Sequence, residues 1–206
     1  NHIDDILRGR DIMKKRRVLF CNTAYMKYYR GVTKDDIPIN GGRYVDEEFD
    51  ATEKYNFLAC SDGFCRGFVE TSHSNGYKAR DSKPRKMKIE RIDNSFKNKD
   101  YIDGVTIIFF AKPDVGEHVV VGWYENATVY RGRQWYNGRE YNLIANVKNC
   151  KLIDYNNRSF VIPKGPKQKK KYGVGAGQSN IWYADKNELD KKFAEKVLKY
   201  IDDLDI

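Results

Sequence analysis

Apolar residues along this chain fall in short runs between polar turns, the pattern of strands that cross a sheet and return. The first run opens VLFCNTAYMKYYRG at residue 18 and passes into an aromatic and basic stretch. The loop DDIPINGGRYV follows, with a turn marked by Asn40, Gly41 and Gly42. YNFLAC (55–60) and FCRGFVET (64–71) face each other across Ser61, Asp62 and Gly63, a short polar linker that predicts a hairpin. Residues 72–88 are polar, basic and without apolar periodicity, which reads as a mobile loop, and 88–93 resumes as a strand. GVTIIFFA (104–111) and VVVGWYENATVYR (119–131), joined by KPDVGEH, predict the central hairpin. Gly122 interrupts that second strand, where a bulge or a close backbone approach is expected. YNLIANVKNCKLI and RSFVIP add further strands between Asn-rich turns.

Two segments break the strand pattern. PKGPKQKKKYGVGAG (163–177) has no core-forming residues and reads as a flexible basic loop. After it, Leu189, Phe193, Val197, Ile201 and Leu204 recur every three or four residues, one apolar face of an amphipathic helix, with Asp185 and Glu188 as its capping pair. No repeat of about 20–50 residues is visible, which argues against a solenoid. The expected fold is α+β, mainly β: a small curled sheet or barrel with flanking helices and a C-terminal amphipathic helix. Residues 1–17 are set aside as an N-terminal extension, because Met13 sits where a natural start could lie, and 18–206 read as a single domain.

Composition narrows the partners. Lys and Arg exceed Asp and Glu by 38 to 29, and aromatics reach 14%, led by fifteen Tyr. Cations suit phosphates and rings suit bases, so nucleic acid is favoured, although tyrosine is also ordinary strand material. No run approaches the roughly 20 apolar residues of a membrane span, and no apolar signal core opens the chain, so a cytoplasmic protein with no membrane partner is expected. The four cysteines lack the spacing of a secreted disulfide scaffold and read as reduced thiols.

Catalytic chemistry is thinly represented. His2, His73 and His118 form no HxH, HExxH or HNH-like cluster. Pro113 and Asp114 could open a PD-(D/E)xK nuclease site, but they sit in a hairpin turn, their spacing to any (D/E)xK is poor, and Asp190-Lys191-Lys192 lies far away on the terminal helix. Cys60 and Cys65 lack a second ligand pair, and the glycines of GVGAGQSN lack a Walker lysine. No cofactor, metal or catalytic residue is assigned, and the reading leans away from an enzyme.

The basic and aromatic features are the stronger candidates. Lys164, Lys167, Lys169, Lys170 and Lys171 can neutralise several phosphates at once, or form a solvated charged loop. Gln178, Ser179 and Asn180 follow, with amide groups that can read base edges. Tyr28 and Arg30 near the start, and Arg131 and Arg133 with Trp135 and Tyr136 further on, interleave cations with rings and complete the DNA-contact set. Trp123 and Tyr124 are neighbours on one strand, so one ring is expected inward and the other outward. With Trp182, Tyr183 and Asp185 they are the candidates for an aromatic base pocket, against the alternative that they pack the core.

VLFCNTAYMKYY, GWYENATVYR and GQSNIWYAD resemble stretches of an N-terminal recognition region in bacterial restriction-type, HNH-associated endonucleases, in order over about residues 18–201. The layout is also similar to PUA-like modules such as EVE, YTH and SRA domains. That resemblance implies a modified base held in an aromatic-lined pocket on a small barrel, and a recognition part without its nuclease. The expectation is a DNA-binding specificity module of a restriction-like defence protein. Its partners would be double-stranded, modified DNA and a nuclease effector domain or subunit. The alternatives are a metal-dependent nuclease whose carboxylates assemble only in the fold, and an RNA-binding PUA-like module.

Overall fold

The computed structural model describes residues 15–40, 52–76 and 79–206. The expectations for residues 1–14 and for Gly41 and Gly42 lie outside them. Among these residues, seven strands form one mixed sheet: β1 Arg17–Asn22, β2 Phe64–Gly67, β3 Tyr101–Ala111, β4 Val119–Tyr136, β5 Arg139–Asn146, β6 Cys150–Leu152 and β7 Ile181–Trp182. The path runs β2-β5-β4-β3-β1-β7, with β6 pairing β4 off the path. The end strands β2 and β7 are not neighbours on it, so the sheet is open, and the described residues are mainly β with two α-helices. The β1 and β3 strands run parallel; the other pairs are antiparallel.

Period-2 alternation divides the central strands between two cores. Leu19, Cys21, Ile107, Phe109, Val121 and Tyr124 face one apolar cluster, whereas Phe20, Ile108, Phe110, Val120 and Trp123 face another. Both faces are therefore covered at the centre of the sheet, which is why these strands read as nearly continuous hydrophobic runs. The second cluster is closed by the helix α2 Glu188–Asp202, through Ala194, Val197, Leu198 and Ile201.

The central hairpin β3–β4 forms as expected. Gly122 is a close approach: an added Cβ would stand 2.6 Å from the Lys151 carbonyl oxygen and 2.7 Å from the Phe57 ring. The YNLIANVKNCKLI run divides into β5 and β6 around a 3-10 turn, Val147–Asn149.

Elsewhere local chemistry overrides the pattern. Thr52–Tyr55 is a 3-10 turn, so the expected hairpin of 55–60 with 64–71 shrinks to the bridge Ala59–Cys65, and β2 pairs β5 instead. Residues 88–93 hold a 3-10 turn, Ile89–Arg91, in place of a strand, and RSFVIP contributes the isolated bridge of Val161 with Val119. Within 72–88, the described residues on either side of 77 and 78 are pinned, with Arg85 N–H donating to Ser72 and Met87 N–H to Arg131. Residues 165–172 are not a loop but a helix, α1 Gly165–Tyr172, begun by a proline in its first turn and stopped by Gly173 in the left-handed conformation. The α2 cap is Asn187, whose side chain accepts from Asp190 N–H, so Asp185 is free for another role. Leu189 stands on the exposed side of that helix, while Leu198 takes a place in the core. Arg16 and Arg17, set aside with the extension, belong to the fold, paired with Asp202 and Asp93 at 2.7 and 2.8 Å.

Candidate functional site

The expected base pocket does not form from the residues chosen for it. Trp123 and Trp182 are 2% and 8% exposed, and both belong to the core under α2. Trp182 packs on Phe20 at 4.9 Å and Phe193 at 5.8 Å between ring centres. Tyr124 faces the opposite core and donates its hydroxyl to the Asn56 carbonyl, so neither Trp123 nor Tyr124 points outward. Tyr183 is buried, its hydroxyl accepting from Lys88 N–H, and burial pushes that phenol up to about 12. Asp185 is paired with Arg91 at 2.6 Å, and that guanidinium holds its carboxyl below the usual range.

Several expected DNA contacts are likewise spent on the fold. The Arg131 guanidinium donates to the carbonyls of Phe96, Lys97 and Lys99 and to Glu90, a staple for the turn before β3. Lys164 donates to the Gly177 and Ser179 carbonyls at 2.9 Å each, and its burial lowers the amine to about 8. Asn180 accepts hydrogen bonds from Asn22, side chain to side chain and backbone to backbone, and donates to the Glu70 carbonyl. The Ser179 hydroxyl accepts from Ile181 N–H, and Lys171 pairs with Glu117 at 3.2 Å. Tyr28, Arg30, Gln178 and, on α1, Lys167, Lys169 and Lys170 are exposed. Those five cations and polar groups, Tyr28 aside, make no ion pair among the described residues, so they remain able to meet a polyanion.

The open site lies elsewhere. A cavity of about 710 Å³ sits between the 3-10 turn Thr52–Tyr55, residues 58–61, and the tip of the β4–β5 hairpin. Its walls include Tyr55, Phe68, Trp135 and Tyr136, with Glu70, Glu140 and Arg139 supplying charge. Trp135 is 68% exposed, an unusual position for so large an apolar ring, which would ordinarily be covered. The hairpin explains it. Asn137 and Gly138 have φ of 49° and 74°, the paired positive values of a tight primed turn, and this sets Trp135 opposite Glu140 and Tyr136 opposite Arg139.

Around the cavity the charges are ordered. Arg133 bridges Glu70 at 2.5 Å and Glu140 at 3.1 Å, which fixes both carboxylates. Arg139 lies over the Tyr55 ring at 4.8 Å, and Arg66, clamped by Asp62 at 2.7 Å, lies over Tyr136 at 3.6 Å. One face of the Tyr136 ring is thus occupied by a guanidinium. Beneath the turn, Glu53 is buried; it accepts from Ala24 N–H, and desolvation raises its carboxyl to about 7. A pocket of this size with rings and a few fixed polar groups suits a planar ligand bearing hydrogen-bond donors.

Sequence reasoning noticed Trp135 and Tyr136 only as rings among cations. The signal that would have singled them out is Asn137–Gly138, a tight-hairpin dipeptide that places the preceding residues at an exposed tip. Glu70 and Tyr55 carried no such signal. Among the described residues, no group of three or more His, Cys, Asp or Glu side chains is placed to hold a metal ion, and no helix is long and apolar enough to cross a membrane. Scans against protein-family models, curated proteins and solved structures find no match to this chain.

Proposed function

We propose that this chain is a DNA-binding specificity module, of the restriction-like, PUA-like kind its sequence resembles, that receives a modified base extruded from a duplex. The carrying observation is the open cavity of about 710 Å³ with the exposed Trp135 on its wall. In this reading an extruded base stacks on Trp135, and the carboxylates of Glu70 and Glu140 accept hydrogen bonds from its exocyclic amine. Extrusion costs a few kcal/mol of unstacking and unpairing, and one aromatic stack returns about 1–3 kcal/mol of it. The exposed lysines of α1 supply attraction that is independent of sequence.

The test is competition binding with otherwise identical duplexes carrying cytosine, 5-methylcytosine, 5-hydroxymethylcytosine, adenine or N6-methyladenine. One modified duplex is expected to bind more tightly than its plain counterpart, and Trp135→Ala is expected to erase that preference with the fold intact. Equal binding of all five duplexes, or a preference untouched by Trp135→Ala, overturns the proposal.

A further inference from the structure

A second set of rings begins at the cavity and runs away from it. Tyr136 lines the cavity and also lies against Arg66 on β2. The Arg66 guanidinium lies over Tyr141 of β5 as well, at 5.4 Å. Tyr141 meets Tyr130 of β4 edge to face with centres 5.8 Å apart, and Tyr130 meets Tyr101 of β3 at 6.0 Å. Tyr101 is 50% exposed, and the other three rings are half-buried. Four tyrosines and an arginine therefore cross the sheet from β3 to β2 as one connected row, on strands that also send Ile102, Val129 and Leu143 into the core.

Beside this row runs a basic margin. Segment 83–88, KPRKMK, is held against β4 through the Met87 N–H and the Arg131 carbonyl. Its Lys83, Arg85, Lys86 and Lys88 are all exposed, and none makes an ion pair among the described residues. Lys86 lines a cleft of about 380 Å³ with Tyr101, Tyr130 and Gln134, which Asp100 also lines. Arg85 and Lys86 line a neighbouring one of about 180 Å³. Rings on a sheet face beside unpaired cations are what an unpaired nucleic-acid strand requires, because bases stack on aromatic rings and phosphates seek positive charge. A duplex keeps its bases stacked inside and gains nothing from such rings.

We propose that this tyrosine row is a binding track for an unpaired nucleic-acid strand, with the 83–88 margin holding its phosphates. The proposal rests on the nucleic-acid reading for the class of ligand alone; it shares Tyr136 with the cavity but uses neither Trp135 nor the cavity's carboxylates.

The full chain is titrated by fluorescence anisotropy against labelled oligothymidylate, labelled oligouridylate and a plain duplex of equal charge. Wild type is expected to bind a single strand more tightly than the duplex, the two oligonucleotides showing whether DNA or RNA is preferred. Replacing Tyr101 and Tyr130 together by Ala is expected to weaken single-strand binding by about tenfold or more, and replacing both by Phe to preserve it. Lys86→Glu, on an exposed side chain, is expected to weaken binding and to flatten its dependence on salt. No preference for single strands, or binding unchanged by both the double Ala variant and Lys86→Glu, overturns the track. If the double Ala variant fails to fold, Lys86→Glu decides alone. Trp135→Ala separates the two proposals. Loss of modified-duplex selection there, with unaffected track variants, removes the track and leaves the cavity; the opposite pattern removes the cavity and leaves the track.

Discussion

Trp182 and Trp135 occupy opposite circumstances on one sheet. Trp182 lies in the core beneath α2, between Phe20 and Phe193, in a region where both faces of the sheet are covered. Trp135 stands at the tip of a hairpin, beyond the reach of either core, with a cavity beside it. Residue type is identical, so the difference lies in what surrounds each ring. The sealed region is built from alternation that satisfies its own side chains. The open region spends its cations and carboxylates on holding Glu70, Glu140 and Tyr136 in place, while leaving one large ring uncovered. Stability and recognition should therefore separate along this divide.

The largest expected effect breaks the comparison if it fails. Trp182→Ala removes a buried ring and should cost about 3–5 kcal/mol in urea unfolding, whereas Trp135→Ala should stay within about 0.5 kcal/mol of wild type. Equal losses would mean that the hairpin tip is as much a part of the core as the α2 side.

Titration sharpens the contrast, because each region carries a group displaced within the range of about pH 4 to 7. Glu53, under the cavity's 3-10 turn, has its carboxyl raised from 4.5 to about 7, mainly by burial. The folded state holds that proton more tightly, so this contribution is complete below pH 4.5 and is lost as pH rises through 7. His118, against Phe110 of the sealed core, is lowered from 6.5 to about 4, mainly by burial, with Lys164 and Lys112 adding to it. Its contribution is present above pH 6.5 and is lost as pH falls through 4. The two slopes oppose each other between about pH 4.5 and 6.5. Glu53→Gln should make stability rise with pH across that window, and His118→Gln should make it fall. Denaturant midpoints at four pH values distinguish the two signs.

The smallest effect probes the lid of the sealed region. Asn187→Ala removes the α2 cap and should cost about 1 kcal/mol, without changing the affinity for any nucleic acid. A change in affinity would tie α2 to the binding surface.

The core was legible where alternation was strong. Residues 104–111 and 119–131 announced the central hairpin, and Gly122 announced its close contact. What escaped is instructive. The helix α1 has no apolar stripe, so nothing in PKGPKQKKKY (163–172) marks it apart from the Pro near its start and the Gly after its end, two terminal signals that the lysines obscured. Strand-like residues 88–93 became a 3-10 turn because Ile89 was taken into the core from a coil segment. The chosen pocket failed for a related reason. Adjacent rings on a strand part to opposite faces, but a sheet covered on both sides buries both, and coverage depends on segments far away in sequence, α2 among them. Arg131 and Lys164 looked like phosphate contacts because nothing local shows that distant carbonyls will occupy them.

The Asn137–Gly138 turn also has a chemical consequence. An asparagine followed by glycine at an uncovered bend is open to attack of its own carboxamide by the next backbone nitrogen, since no side chain shields the approach. The ring closes with loss of ammonia, and water reopens it to aspartate or to the isomer that routes the main chain through the former side chain. Either product sets a new anion on the rim of the hollow, and the second also lengthens the bend that aims Trp135. Stored protein should drift in ligand preference before it loses its fold, and the age of a preparation becomes a variable to be controlled.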